Sequence, residues 1–290
     1  MSTFTSIRKH LRSGSRHGQE AGARNPFPGE FLLHHLWADQ RIGLGSVLAI
    51  VAAAALLSAW LIPRGPITTA EALVTLVAGL LIGGAAGLIL GSRWSLVVAP
   101  LGFVAVYELA RLGVDGPTVD AIQLGSLYGA IAFAVGRFMH GVYFLAPMLA
   151  GALLGVALAA RLGKPGAAAP GILGWTLTGV MGVALIALAV ATAQPATTAP
   201  ILGADGEALP GSIAELTEVS IGGHAQSLMI RGRSVENPVL LYLAGGPGGS
   251  DIGALRLDTG LEQDFVVVVW EQRGAGKSYA ALDPVETLTL

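Results

Sequence analysis

The sequence predicts an α-helical transmembrane bundle of five or six helices, followed by the first part of an α/β domain. Three observations favour this fold class. Charged residues make up only 12 % of the 290 residues, against about 25 % in soluble globular proteins. Long uncharged runs fill the region from residue 43 to residue 192. Beyond residue 211 the pattern changes to short strand-like segments between glycine-rich turns.

Charge is distributed unevenly, and it divides the chain. The net charge is +3 over residues 1–42, +2 over residues 43–192 and −7 over residues 193–290. We therefore expect a basic cytoplasmic tail (1–42), a transmembrane helical domain (43–192), a linker (193–211) and a partial α/β domain (212–290). The acidic last part argues against binding to nucleic acid. The absence of cysteine excludes disulfides, cysteine zinc sites and thiol catalysis.

The predicted spans are uncharged runs, since about 20 apolar residues are needed to cross a hydrocarbon core of about 30 Å. Four runs meet this length: residues 43–62, 72–91, 141–160 and 171–192. A fifth run, 94–112, contains Glu108 and Arg111, and a sixth, 121–136, is short and ends at Arg137. We predict five passes, with 121–137 re-entrant or lying on the outer interface; six passes are the alternative.

The orientation follows from Lys and Arg, which are enriched in short cytoplasmic flanks. The basic tail therefore places the N-terminus in the cytoplasm, and Arg93 marks the same side. With five passes Arg161 and Lys164 also lie inside, and the C-terminal part lies outside; six passes place Arg137 inside instead. We expect a multi-pass cell-membrane protein, with the lipid bilayer as a partner and an extracytoplasmic C-terminal part.

A glycine ladder marks the second run. Gly79, Gly83, Gly87 and Gly91 are spaced by four and share one helix face. Small residues at this spacing allow a second helix to approach closely in lipid. Two interpretations stay open: packing against another helix of the same chain, and a homo-oligomer formed through Gly79, Gly83 and Gly87.

Two ionisable residues near the end of the fifth run are three positions apart, which puts them on one helix face. For Glu108 and Arg111 we favour an interfacial ion pair over a substrate or ion path. No span carries a central acidic residue, so a transporter is poorly supported.

The last part of the chain predicts a hairpin and then buried strands. Residues 217–221 and 224–230 flank Gly222-Gly223, which is a strong two-residue hairpin signal. Residues 239–243 and 265–270 are continuous apolar runs, so we expect both of their faces to be buried. The segment between them, 251–264, has room for a short helix or a crossover.

Two glycine-rich segments follow these strands. Residues 244–250 are suited to aim backbone N–H groups at a developing negative charge, as an oxyanion hole requires, although a tight turn has the same composition. Residues 274–278, Gly-Ala-Gly-Lys-Ser, suggest a phosphate loop. That interpretation fails because Glu271 stands where the motif needs its first glycine.

Together the two segments resemble prolyl iminopeptidases of the α/β-hydrolase fold. That family carries His-Gly-Gly-Pro-Gly after one strand and Asp-Gln-Arg-Gly-x-Gly-x-Ser after the next. The matching residues here are Gly245, Gly246, Pro247 and Gly248, and then Gln272, Arg273, Gly274, Gly276 and Ser278. Ala244 replaces the family's His and Glu271 replaces its Asp. The resemblance covers residues 212–290 and none of the membrane part.

The resemblance implies a serine hydrolase that cleaves a peptide, amide or ester without a cofactor or metal. The Gly246 N–H, next to Gly245, would be one oxyanion donor. The turn from Glu271 to Ser278 would shape the floor of the site.

The catalytic triad itself is absent from these 290 residues. The fold carries its nucleophile in a Gly-x-Ser-x-Gly turn, which does not occur here, and Ser250 lies in the oxyanion segment at the wrong spacing. No histidine follows His224. We expect a fragment of a longer hydrolase that is inactive by itself. The alternative is a non-enzymatic membrane scaffold with a degenerate hydrolase-like tail.

Overall fold

The computed structural model describes residues 30–61, 67–112, 124–245 and 249–282. The N-terminal part is helical and the C-terminal part contains a small mixed sheet. The helices are α1 Glu30–Ala38, α2 Gln40–Leu61, α3 Thr69–Leu90, α4 Ser95–Arg111, α5 Leu127–His140, α6 Ala146–Arg161, α7 Ile172–Ala193 and the single turn α8 Ile252–Leu255. The strands are β1 Ile213–Ile221, β2 His224–Gly232, β3 Val239–Leu243 and β4 Val266–Trp270.

Four helical segments of the described chain are long and apolar enough to cross a membrane. They are Gln40–Leu61, Thr69–Leu90, Gly129–Arg161 and Ile172–Ala193. Three of them confirm predicted runs. The helix α4, with 17 residues, is about 25 Å long at 1.5 Å per residue. It is therefore shorter than the other four.

The predicted separation between residues 121–136 and 141–160 is wrong. Helices α5 and α6 are joined through a π-helical turn, Gly141–Leu145, into one continuous helix. In this turn the Ala146 N–H bonds to the Gly141 carbonyl, five residues back. The wider turn makes room for Pro147, which otherwise clashes with the carbonyl four residues before it. Residues 121–123 lie outside the described residues.

The glycine ladder of α3 packs against α6 of the same chain. A Cβ added at Gly79, Gly83 or Gly87 would overlap the carbonyl oxygen of Phe144, Met148 or Ala152, respectively. The residue numbers rise along both helices from one contact to the next, so α3 and α6 run parallel. The glycines Gly151 and Gly155 provide the same close approach from the side of α6. Intramolecular packing therefore accounts for the ladder, and the homo-oligomer stays a prediction.

The core of the bundle lies between α2, α3, α4 and the long helix. Helices α3 and α4 are joined by the short turn 91–94. Phe103 of α4 stacks on Phe144 with ring centroids 4.0 Å apart. Tyr107 and Met148 also belong to this core, and its remaining side chains are small or β-branched: Val47, Val51, Ala55, Ala86, Ile89 and Ala99.

The sheet has the strand order β1-β2-β4-β3. The predicted hairpin is confirmed, since β1 and β2 are antiparallel and Ile221 pairs with His224. The turn needs glycine because Gly222 and Gly223 have φ values of 61° and 84°. Strand β2 pairs antiparallel with β4, and β4 pairs parallel with β3. The segment between β3 and β4, for which a short helix or a crossover was expected, contains the single turn α8.

The expectation that β3 is buried on both faces is wrong for the described chain. Val239, Leu241 and Leu243 are 70 %, 53 % and 50 % exposed. Strand β3 is the edge of the described sheet, and only its other face packs. There Tyr242 joins Ile252 and Leu255 of α8 in covering the core of Met229, Val267 and Val269. The inner strand β4 is well buried, with Val269 fully covered.

The segment between bundle and sheet is held by a buried arginine. Arg231 of β2 forms an ion pair with Glu262 and donates from Nη1 to the Ala199 carbonyl at 2.7 Å. It also contacts the Thr198 hydroxyl. The predicted linker is thus anchored on the sheet near residues 198–199.

Candidate active site

The two glycine-rich segments begin side by side, at the carboxyl ends of strands β3 and β4. Strands β3 and β4 are parallel neighbours, and Leu243 pairs with Trp270 at their carboxyl ends. The chain that follows each strand therefore starts at the same edge, which is where α/β folds place their ligand sites. The structure describes Ala244, Gly245 and the segment from Glu271 to Leu282. Gly246, Pro247 and Gly248 lie outside the described residues.

Glu271 links the two segments. Its carboxylate is buried, with the residue 2 % exposed. The Ser250 hydroxyl, from the segment after β3, donates to Glu271 Oε1. The Lys277 backbone N–H donates to Oε2 at 2.7 Å. Glu271 is therefore a structural acceptor that ties the segment after β3 to the turn after β4.

The glycines of the second segment fit the space around this carboxylate. Gly276 has a φ of 42°, and a Cβ there would overlap the Glu271 carboxylate. Gly274 has a φ of 85°, and its N–H donates to the Ser278 carbonyl at 3.1 Å. Both positions have backbone conformations that favour glycine.

Ser278 fixes the turn to the middle of the sheet. Its hydroxyl oxygen accepts from the Ser227 N–H of β2 at 2.8 Å and donates to the Glu271 carbonyl at 2.6 Å. Both serines are buried. The side chain therefore closes the turn onto its own first residue and onto β2.

Arg273 and Gln272 have different surroundings. Arg273 Nε donates to the Ala281 carbonyl at 2.7 Å, so this guanidinium closes the far end of the turn. Gln272 is exposed, and its carbonyl accepts from the Ala275 N–H at 2.9 Å. The contacts made by Arg273, Gly274, Gly276 and Ser278 are those of a rigid turn. The oxyanion role of Gly246 stays a prediction.

A polar pair beside the site was not predicted. The Tyr242 hydroxyl of β3 donates to Asp251 Oδ2 at 3.1 Å. This hydrogen bond, together with the charge of Asp251, raises the pKa of Tyr242 above its ordinary value. The pair brackets the segment after β3 at both ends. The partners are nine positions apart in sequence, so no local pattern signals the pair.

A second polar cluster lies in the bundle. Glu108 of α4 forms an ion pair with Arg137 of α5 at 2.7 Å. The partner predicted from spacing, Arg111, donates to the Tyr107 hydroxyl at 2.8 Å. Sequence spacing missed Arg137 because it is 29 residues away on another helix. The cluster borders a largely apolar cavity of about 230 Å³. Thr75, His140 and Phe144 also line this cavity.

Comparison with known proteins gives one informative relative. The chain is 54 % identical over 70 residues to "Probable aminopeptidase YbaC" of Bacillus subtilis (strain 168). The similar stretch is 24 % of this chain and 22 % of that protein. The chain thus spans about a fifth of the length of this relative. No protein-family model matches the chain, and no solved structure matches it. A partial relationship to a probable aminopeptidase is what the comparisons support.

Proposed function

We propose that this chain belongs to a membrane-anchored α/β-hydrolase similar to proline iminopeptidase-type serine aminopeptidases. The observation that carries the proposal is the meeting of the segments after β3 and β4, joined by the Ser250–Glu271 hydrogen bond. The 54 % identity to a probable aminopeptidase supports the same class. In this proposal residues 212–290 form part of the hydrolase domain, and the triad residues come from elsewhere in the complete enzyme.

The chemistry assigned to this chain is stabilisation of an oxyanion. When a serine attacks a peptide, amide or ester carbonyl, the oxygen becomes negative and needs preorganised N–H donors. The Gly246 N–H is the proposed donor. Glu271 is not proposed as a base because it is buried and holds the Lys277 N–H and the Ser250 hydroxyl. Its role is to keep the Gly246 segment in register with the site floor.

The exposed face of β3 supports the assignment to a larger α/β domain. Val239, Leu241 and Leu243 form an apolar row on the edge strand. Parallel strands in α/β folds are covered on both faces. In the proposed enzyme, further elements of the hydrolase domain cover this row.

We further propose five membrane crossings. Helices α3 and α6 are parallel and packed side by side, so the chain must cross back between them, and α4 is the segment that does so. Four basic residues then share one end of the bundle, which the enrichment of cytoplasmic flanks in Lys and Arg makes cytoplasmic. They are Arg41, Arg93, Arg161 and Lys164. The N-terminus is then inside, and the sheet, which follows α7, is outside.

A chimera tests the hydrolase proposal. The 70-residue segment of the Bacillus subtilis relative is replaced by the matching segment of this chain, and hydrolysis of aminoacyl-naphthylamides is compared with the parent enzyme. We expect the chimera to retain activity. Replacing Gly246 by Pro removes the backbone N–H and should lower kcat by about 10²–10³-fold. The matched control, Gly246→Ala, keeps the N–H and should lower it far less.

Two results would contradict the proposal. One is a folded chimera without activity while the parent enzyme is active. The other is equal activity in the Gly246→Pro and Gly246→Ala chimeras. The first result would favour the scaffold alternative, since Ala244 and Glu271 already depart from the family motif.

A further inference from the structure

The basic end of the bundle contains a cavity that the proposed hydrolase chemistry does not use. Its volume is about 610 Å³. The walls come from α1, the ends of α2, α3 and α4, and the loop after α6. Its lining includes Trp37, Gly91, Trp94 and Lys164. A ligand bound here depends on the proposed membrane placement of the helices and not on the hydrolase chemistry.

Lys164 is a half-buried cation in the wall of this cavity. Its aliphatic stem lies against Gly91, where an added Cβ would overlap Lys164 Cδ and Cε. Its Nζ lies 5.5 Å from the centroid of the Trp37 ring. Within the described part of the chain, no carboxylate oxygen lies within 4 Å of this ammonium. Burial lowers the pKa of Lys164 because desolvation disfavours the charged form.

An opposite charge close to a partly desolvated cation favours its charged form. Among the described residues, Lys164 is given an aromatic ring and no acid, so an anion that enters the cavity would meet a cation without a carboxylate partner. Asp39, between α1 and α2, has a partner of its own, since its Oδ1 accepts from the Arg41 N–H at 2.7 Å. That carboxylate caps the start of α2.

The aromatic rings set the depth of the cavity. The Trp37 Nε1 donates to the Leu88 carbonyl at 3.1 Å, which fixes this ring against α3. Trp94 is exposed at the start of α4. Tryptophan is enriched where the hydrocarbon core meets the headgroups. In the proposed membrane placement, the cavity therefore lies at headgroup depth.

We propose that this cavity binds the phosphate headgroup of an anionic phospholipid of the cytoplasmic leaflet, with the Lys164 ammonium paired to the phosphate. Basic pockets between helices on the cytoplasmic side are suited to such headgroups. Arg41 and Arg93 do not line the cavity but adjoin its lining residues Gln40, Ser92 and Trp94 in sequence, so they add positive charge at this end of the bundle. In the proposed complex the tryptophan rings border the glycerol region. The site is distinct from the sheet edge that carries the hydrolase motifs.

Lipid binding to the full chain tests the proposal. The purified chain is delipidated in neutral detergent and titrated with phosphatidylglycerol or phosphatidylcholine, and bound lipid is counted by native mass spectrometry. We expect at least a tenfold preference for phosphatidylglycerol. Lys164→Gln should reduce this preference at least fivefold, and Lys164→Arg should keep most of it. The matched control is Arg161→Gln, at the same end of the bundle but beside Trp175, and it should change binding less than twofold.

Three outcomes would overturn the proposal. They are equal binding of the two lipids, an unchanged preference in Lys164→Gln, and displacement of phosphatidylglycerol by millimolar inorganic phosphate, which would indicate a soluble anion as the ligand. Carbonate extraction of membranes is run in parallel. Release of the chain by carbonate would refute the membrane placement itself. Retention without lipid preference would refute only the lipid site, and neither result bears on the chimera.

Discussion

The hydroxyl oxygen of Ser278 accepts a hydrogen bond from the backbone N–H of Ser227 at 2.8 Å, across 51 residues of sequence. Through this contact the turn after β4 is bound to the centre of the sheet. The same hydroxyl donates to the Glu271 carbonyl, so one side chain closes the turn and docks it. This side chain therefore holds the proposed site floor against the sheet.

Replacing Ser278 by Ala should destabilise the sheet by about 1–3 kcal/mol, because a buried N–H and a buried carbonyl each lose a partner. Thermal unfolding of the solubilised chain measures the effect. The control is Ser227→Ala. The Ser227 hydroxyl is buried and finds no hydrogen-bond partner among the described residues, so its removal should be neutral or stabilising. Equal losses in the two variants would contradict the assignment.

Gly276→Ala should lower the free energy of unfolding by more than an alanine with a positive φ does elsewhere in the chain. Its φ is 42°, and the new methyl group would overlap the Glu271 carboxylate. Gly223→Ala is the matched control, because Gly223 also has a positive φ but has open space at its Cβ position. Backbone strain of this kind costs about 1–3 kcal/mol. We expect the melting temperature of Gly276→Ala to fall below that of Gly223→Ala; the reverse order would show that Glu271 moves aside freely.

Gly83→Ala should loosen the bundle. A methyl group at this position would overlap the Met148 carbonyl, which forces α3 and α6 apart along their parallel contact. Overpacking of this kind costs about 1–3 kcal/mol. Gly182→Ala in α7 is the control, because nothing lies within 4 Å of its Cβ position. Thermal unfolding in detergent should show a lower midpoint for Gly83→Ala only, and no difference between the two variants would refute the close packing.

Tyr242 should ionise at higher pH than an ordinary tyrosine. The hydrogen bond to Asp251 and the charge of that carboxylate raise its pKa above the ordinary value of 10.0. The stabilisation from the neutral phenol is therefore present below pH 10 and lost as the pH rises through the raised value. The absorbance at 295 nm, compared with Tyr242→Phe, follows this group. Asp251→Asn should lower the pKa of Tyr242, and Asp258→Asn should not. If Tyr242 titrates at the same pH in the unchanged protein, in Asp251→Asn and in Asp258→Asn, the pairing is excluded.

Local signals allowed part of this structure to be predicted. The Gly222-Gly223 hairpin follows from a two-residue turn, and three of the spans follow from apolar length alone. Interactions between segments that are far apart in sequence could not be predicted from local patterns. The Glu108–Arg137 ion pair joins different helices, and the π-helical turn before Pro147 joins two runs that composition separates.

The candidate site shows the same division. Its glycines and Ser278 are visible as a motif. The reason for each residue type appears only in the structure. The Glu271 carboxylate fills the space where a Cβ at Gly276 would lie, and the Ser227 N–H donates to the Ser278 hydroxyl. The exposed face of β3 was missed because an apolar run alone does not distinguish an edge strand from an inner one.

The sidedness of the bundle is tested most directly by labelling single cysteines in intact cells. The chain has no cysteine, so Ser15→Cys in the basic tail and Asp258→Cys in the exposed loop before β4 can be introduced separately. With five crossings, a membrane-impermeant maleimide should label Asp258→Cys in intact cells and Ser15→Cys only after permeabilisation. Labelling of both residues from the same side would mean an even number of crossings and would contradict the five-crossing arrangement.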